Sequence, residues 1–405
     1  PSGPLVYHVN PATGNNAYSP LEALDPATPW KSITYALTQV ESNDVVQVSA
    51  GTCSPTTGET FPISIPAGVT LRGSDIFKTL LSVNAAKTAI VLNAAHGAAV
   101  ERLTVTGMSD AADNIHSISV LGGGSPLIRD VCIQGNYNSR GNGYSIHVNG
   151  ASPTFRNCLV AGNAAGYLAQ IQGSTSAPVF ANCTFAGNWS NNGGFYRAAG
   201  APTLRDCIFW RNRFDVSGFT TANSVISNNL FSSGAFNGTN GCIKADPLLL
   251  GGYFLPQVAS GQAADSPAVN AGSRTAAEAA LDAYATRTDG VGDAGMVDLG
   301  FHFPGGTLCG VDVYVATTGS DTTGDGTAGA PWRTITKAIQ NAVHGTVVHV
   351  ADGLYRTGET FPLKVPDGVS LIGQSMQKTV ISRNAGGPVV YLQNASWQRF
   401  ENFTV

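Results

Sequence analysis

Charge is scarce in this chain. Of 405 residues, 22 are Lys or Arg and 26 are Asp or Glu, or 12%, about half the ~25% usual in a soluble globular domain. Together with 43% apolar residues, that scarcity excludes a charge-rich disordered chain. A net charge of −4 and a pI near 6.0 leave no basic footprint for nucleic acid. No apolar run approaches the ~20 residues of a membrane span. Leu, Glu and Lys are thin where a long helical protein would carry them, and no lysine occurs between residues 88 and 243. No signal peptide is visible. Pro1-Ser2-Gly3 lacks an initiator Met and reads as a mature or trimmed start, which keeps export open.

What is abundant is Gly (48 residues) and Asn (28 residues), with many small β-formers. They are arranged in a repeat. Ile128-Arg129-Asp130-Val131-Cys132-Ile133-Gln134-Gly135-Asn136 is followed by Phe155-Arg156-Asn157-Cys158-Leu159-Val160-Ala161-Gly162-Asn163. Two further copies end in Cys183…Asn188 and Cys207…Asn212. The cysteines step by 26, 25 and 24 residues and the asparagines by 27, 25 and 24. A unit this short cannot bury a core alone, so neighbours must stack. Two or three short strands per unit, each ended by Gly, Asn or Pro, predict a parallel β-helix: an all-β solenoid rising about 4.8 Å per coil. Cys132, Cys158, Cys183 and Cys207 would form an inward ladder of small thiols. Asn136, Asn163, Asn188 and Asn212 would form a turn ladder, since Asn tolerates the left-handed conformation and its amide can bond the next coil. Like charges stacked at coil spacing would repel, which accounts for their scarcity.

A second period is longer. Gly58-Glu59-Thr60-Phe61-Pro62 recurs as Gly358-Glu359-Thr360-Phe361-Pro362, a shift of 300 residues. Pro66-Ala67-Gly68-Val69 recurs as Pro366-Asp367-Gly368-Val369, and Pro29-Trp30-Lys31 as Pro331-Trp332-Arg333. The expected organisation is a complete β-helix domain over 1–303, a linker over 304–312, and the first part of a second copy over 313–405. Residues 31–41 read as a short amphipathic helix with Ile33, Ala36, Leu37 and Val40 on one face; Ile335, Ala338, Ile339 and Val343 repeat it. Such a helix would cover the open end of the stack, with Trp30 and Trp332 beneath it. A further helix is expected from Ala276 to Ala285.

The run Tyr314-Val315-Ala316…Gly319-Ser320-Asp321…Gly324-Asp325-Gly326-Thr327…Pro331-Trp332 resembles the opening module of bacterial right-handed, pectate-lyase-like β-helix surface proteins. That module is also seen in family-nine polysaccharide lyases. Ser266-Pro267-Ala268-Val269-Asn270-Ala271-Gly272, followed by Val297-Asp298-Leu299-Gly300, resembles the closing segment of secreted β-helix proteins. The resemblance implies the fold and an extracellular or cell-surface location; the fold itself hosts lyases, hydrolases, adhesins and structural proteins.

A β-helix lyase needs a base, commonly with Ca²⁺ held by several carboxylates. Asp130 and Asp206 take equivalent places three coils apart, about 14 Å, too far to share one ion. Asp110 and Asp113 have no third ligand near them in sequence. The Asp/Gly-rich stretches with Asp321 and Asp325, and with Asp289, Asp293 and Asp298, could hold Ca²⁺ or could be plain turn networks. No cofactor is required by any motif. Arg129, Arg156 and Arg205 could form a basic stripe or simply point to solvent. Tyr137, Tyr144, Tyr167, Trp189, Tyr196 and Phe219 could line a sugar-stacking groove or stack in the core. The seven histidines lack zinc spacing, and any two of Cys53, Cys242 and Cys309 could bridge in a secreted protein.

No catalytic constellation emerges. The expectation is an extracellular structural or surface protein of tandem β-helix domains: a part-built second copy exposes a coil edge, so either a longer chain continues beyond Val405 or the protein self-associates through its ends into a filament or layer. The alternative is a lyase or binding protein acting on an acidic polysaccharide.

Overall fold

The computed structural model describes residues 3–108, 114–138, 143–250, 253–304, 312–342, 346–365, 369–384, 386–392 and 399–405. Two compact units result. One comprises Pro1–Pro247, Pro267–Asp282 and Asp293–His302; the other comprises Leu248–Ser266, Ala283–Gly292 and Phe303–Val405. The units therefore do not follow a single cut at residue 303, and residues 305–311 of the expected linker lie outside the described residues.

The first unit is a right-handed parallel β-helix. Its first face stacks, in parallel, Val6–Val9, Val45–Val48, Thr70–Gly73, Ala99–Thr106, Leu127–Gln134, Thr154–Arg156, Val179–Ala181, Thr203–Arg205 and Val225–Ser227. From Ala99–Thr106 onward a corner residue then turns the chain, at the same position in each coil. Arg102, Asp130, Asn157, Asn182, Asp206 and Asn228 all have φ between 51° and 58°, the left-handed region in which Asn and Asp are the least strained non-glycine residues. The second face follows with Leu159–Ala161, Thr184–Ala186, Ile208–Trp210 and Leu230–Phe231. The third carries Ile90–Asn93, His116–Leu121, Tyr144–Asn149, Ala164–Gln172, Trp189–Arg197 and Val216–Ser217.

The interior is built from like on like. Phe155 stacks on Phe180 at 4.8 Å, and Phe185, Phe209 and Phe231 stack at 4.8 and 4.9 Å. Phe195 meets Phe180 edge-on at 4.6 Å. Cys158, Cys183 and Cys207 lie in the same core, fully buried. Cys132 does not join them. It pairs in register with Thr104 and Leu159, whereas Val131 occupies the position that Cys158 holds one coil on. Val131 and Ile133 point inward, so strand alternation turns Cys132 to the outer side. The cysteine step of 26 against the asparagine step of 27 is the trace of this one-residue offset.

The asparagine ladder forms, with one change of mechanism. Nδ2 of Asn136, Asn163 and Asn188 donates to Oδ1 of the next asparagine at 3.0, 3.0 and 2.9 Å, ending on Asn212. The left-handed conformation is taken by the residue before each: Gly135, Gly162, Gly187 and Arg211. The asparagines themselves are buried amides that bridge coils.

The amphipathic helices are shorter than read, Ile33–Leu37 and Ile335–Asn341. Val343 lies outside the described residues. Ser32 and Thr334 cap them. Glu59 accepts from the backbone of Ile33 and Thr34 at 2.7 and 2.9 Å, and Glu359 repeats this at Ile335 and Thr336, both at 2.8 Å. The recurring Gly-Glu-Thr-Phe-Pro run thus supplies a carboxylate to each helix start. Trp30 is fully buried against Tyr7 at 5.2 Å.

No helix spans 276–285. Thr275 and Glu278 exchange the bonds of a capping box, but Ala280 adopts φ 51° and breaks propagation. The reversal buries Ala276, Ala279 and Leu281 instead. This closing segment lies along the second face. Gly300 N donates to Asp206 O at 2.8 Å, Phe301 N to Thr184 Oγ1 at 2.9 Å, and His302 exchanges backbone bonds with the Asn157 amide at 2.6 and 2.8 Å.

The second unit holds its own parallel strands, Asp312–Val315, Val347–Val350, Ser370–Gly373 and Phe400–Glu401, over a core of Trp332, Ile335, Val348, Tyr355, Leu371 and Ile381. Among the described residues no helix is long and apolar enough to cross a membrane.

Candidate functional site

Parallel register concentrates rings and amides on the outer side of the third face. His116 lies opposite Tyr144, Tyr144 opposite Tyr167, and Tyr167 opposite Gly193. A second line runs Ser119, His147, Gln170 and Tyr196, and a third Leu121, Asn149 and Gln172. His116 stacks on Tyr144 at 4.9 Å and nears His147 at 4.6 Å; Tyr144 meets Tyr167 at 5.7 Å; Tyr167 stacks on Tyr196 at 5.0 Å. Gly193 permits the last contact, because a Cβ there would press on the Tyr167 ring at 3.1 Å. Tyr167, Tyr196, His147 and Gln172 are half-buried, so each keeps a solvent-facing edge.

The polar atoms are neutral and partly unspent. Nε2 of His147 faces Gln172 Oε1 at 3.2 Å and Nδ1 faces Ser119 Oγ at 3.4 Å. Since the amide oxygen only accepts, Nε2 carries the proton and Nδ1 takes the Ser119 hydroxyl. Burial, with the nearby His147 adding to it, pushes His116 down to about 3. Burial also lowers His147, against its bond to Gln172. Tyr144 is raised by burial and then by Tyr167. Two deeply buried atoms, His116 Nδ1 and Gln170 Oε1, have no hydrogen-bond partner among the described residues, on side chains only 8% and 6% exposed, while the Gln170 side chain also bonds Tyr144. A buried polar atom without a partner costs about 1–3 kcal/mol.

Beside it, Tyr137 and Trp189 are exposed, and the Arg213 guanidinium lies 4.6 Å over the Trp189 ring. Phe219 belongs to the core. The aromatic residues singled out in the sequence thus divide between interior and surface. The His116–His147 pairing escaped sequence reading. Its signal is present in Ser117-Ile118-Ser119-Val120 and Ser145-Ile146-His147-Val148, which align by one coil.

The aspartates considered for Ca²⁺ are engaged locally. Asp321 accepts from the backbone of Arg333 and Thr334 at 2.8 and 3.0 Å, and Asp325 from Thr327 at 3.0 Å. Asp289 pairs with Arg287 at 2.5 Å. Asp293 receives Asp298 N at 2.8 Å and His302 Nε2 at 2.9 Å, and Asp298 receives Asn270 N at 2.7 Å. Among the described residues no three His, Cys, Asp or Glu side chains are placed to hold a metal ion. Asp110 and Asp113 lie outside the described residues, as does Cys309; Cys53 and Cys242 are free thiols.

In the second unit, a cavity of about 470 Å³ opens beside Tyr314 and His349, whose rings stack at 5.0 Å. Ile372 lines it, at the position that Arg72 takes in the first copy.

The profile of a family described as "Protein of unknown function (DUF1565)" matches residues 13–240 and 317–397, one segment in each copy. A search of curated proteins finds no match. Among solved structures, the PL6 family alginate lyase AlyGC is 12% identical, covering 91% of this chain and 69% of that one, with a TM-score of 0.22. A point mutant of that enzyme gives 11% identity, 85% and 66% coverage and a TM-score of 0.19. A PL6 alginate lyase in complex with a trisaccharide gives 10%, 99% and 85%, with a TM-score of 0.24. The chain thus spans about two thirds of the length of the first two. Likeness at this level carries no argument about a reaction.

Proposed function

We propose that this chain, which belongs to the DUF1565 family, is an extracellular surface β-helix protein that binds a saccharide chain along its third face. The observation that carries this reading is the ring row Tyr144, Tyr167 and Tyr196 beside the half-buried His147 and Gln172. Aromatic faces pack against the C–H side of a sugar ring, and half-buried amide and imidazole groups at their edge suit its hydroxyls. The coils repeat at about 4.8 Å, so the rings form a track rather than a single pocket. A rigid solenoid with a neutral, aromatic-lined face suits attachment to a polymer at a cell surface.

The test is a glycan array followed by calorimetry with the full chain. Tyr167→Ala combined with Tyr196→Ala should cut affinity for the best glycan at least ten-fold while thermal unfolding stays cooperative. Unchanged affinity in that variant would remove the third face from the function.

One observation favours a second reading, elimination from a uronate polymer. His147 holds an uncharged imidazole next to Tyr144, at 5.2 Å between rings, and its Nδ1, once released by the Ser119 hydroxyl at 3.4 Å, can take a proton. Absorbance of unsaturated products from uronate polymers, lost in His147→Ala, would support it over binding alone.

A further inference from the structure

A line of arginines runs along the outer side of the first face. Arg129 lies opposite Arg156, Arg156 opposite Ala181, and Ala181 opposite Arg205. The alanine leaves a gap, and the closing segment brings a guanidinium to it. Arg274 Nη2 donates to Asn182 Oδ1 at 2.8 Å, and Nη1 stands 3.6 Å from Asp206 Oδ2. Asn182 and Asp206 directly follow Ala181 and Arg205, so Arg274 sits between the two arginines of the line.

The charges do not balance locally. Arg129 meets Glu101 at 3.0 Å, and Arg72 meets the same carboxylate at 2.9 Å. Arg156 and Arg205 form no ion pair among the described residues. Asp206, which Arg274 approaches, also accepts Ser273 N at 2.7 Å and Ser273 Oγ at 3.0 Å. Nε of Arg156, Arg205 and Arg274 is buried with no partner. Burial, then Arg205, then Arg156 depress Arg274 from its ordinary value, against the pull of Asp206. Three half-buried guanidiniums thus lie along one line of the first face, and two of them, Arg156 and Arg205, have no ion pair among the described residues.

Arg156 and Arg205 are two coils apart, about 10 Å at ~4.8 Å per coil. One small oxyanion cannot hydrogen-bond both, whereas successive anionic groups on a polymer can. We propose that the line Arg156, Arg274 and Arg205 binds an acidic polysaccharide lying along the solenoid axis, its carboxylates or sulfates taken by successive guanidinium forks. This site is on a different face from the aromatic track, and it selects for charge where that track is neutral.

The full chain would be titrated with polygalacturonate, dextran sulfate, uncharged dextran and sodium sulfate. Both acidic polymers should bind at least ten-fold tighter than dextran, with affinity falling as salt rises. Arg156→Gln with Arg205→Gln should lose that advantage and the salt dependence. Its melting temperature should hold or rise, because crowded like charges are removed. Arg156→Lys with Arg205→Lys, which keeps charge without the fork, should retain part of the binding and guards against a folding defect in the glutamine variant. Tyr167→Ala with Tyr196→Ala should leave acidic-polymer binding intact, so the two sites fail separately. Equal affinity for dextran and polygalacturonate, unchanged binding in the glutamine variant, or saturation by sodium sulfate as tight as by polymer would overturn the proposal.

Discussion

Asn163 donates its side-chain amide to Asn188 Oδ1 at 3.0 Å across one coil of the solenoid. The same amide group reaches Ile133 O at 2.8 Å and Ala161 O at 3.1 Å, while its oxygen receives Asn136 N and Nδ2 at 3.2 and 3.0 Å. One buried side chain therefore closes the corner for three consecutive coils.

Asn163→Ala should destabilise the first unit by about 3 kcal/mol or more, since several buried groups lose partners at roughly 1–3 kcal/mol each. Urea unfolding followed by far-ultraviolet circular dichroism measures it. A loss within about 0.5 kcal/mol, the range of an ordinary surface change, would mean that the ladder contributes little.

Stability should fall with acid through His116. Its folded value is about 3, against about 6.5 when unfolded. The unfolded chain thus binds a proton that the folded chain excludes between those values. The contribution is neutral above about pH 6.5, and stability declines as pH drops toward 3, reaching about 2 kcal/mol by pH 5 for this one site. His116→Phe should flatten that part of the stability profile.

The buried cysteines should resist alkylation in the folded protein. Burial, and then Glu59, push Cys53 up to about 12. Burial, and then the thiol neighbours Cys158 and Cys207, hold Cys183 well above the ordinary thiol value. The thiolate is the reactive form. Peptide mapping after iodoacetamide should find Cys53, Cys132, Cys158, Cys183, Cys207 and Cys242 unmodified until denaturant is added.

Gly300→Ala should loosen the closing segment. The residue holds φ 85°, and a Cβ would fall 2.5 Å from Thr184 Oγ1 and 2.8 Å from Ile208 Cδ1. Left-handed strain and overpacking together suggest a cost of about 2–4 kcal/mol. Hydrogen exchange should show faster opening at Phe301 and His302 before the coils themselves open.

Much of this was readable in advance. Residues recurring every 24–27 positions could only be satisfied by stacked coils, and the spacing placed Asn136, Asn163, Asn188 and Asn212 in one bonded row. The reading slipped where it followed residue type over register. Cys132 shares its residue type with Cys158, yet one residue of offset turns a strand side chain to the opposite side. Ala276 to Ala285 read as helix from composition, yet burying Leu281 against the coils required a reversal at Ala280.

The sequence alone determined the parallel β-helix, its two copies, and the low charge that stacking demands, because these are periodic properties of the chain. The tertiary structure alone decided which residues meet across coils. His116 reaches His147, and Arg274 reaches Asn182 and Asp206, over separations that no local pattern encodes. Those meetings are set by inter-strand register and by where the closing segment folds back. Both candidate sites arise from that geometry.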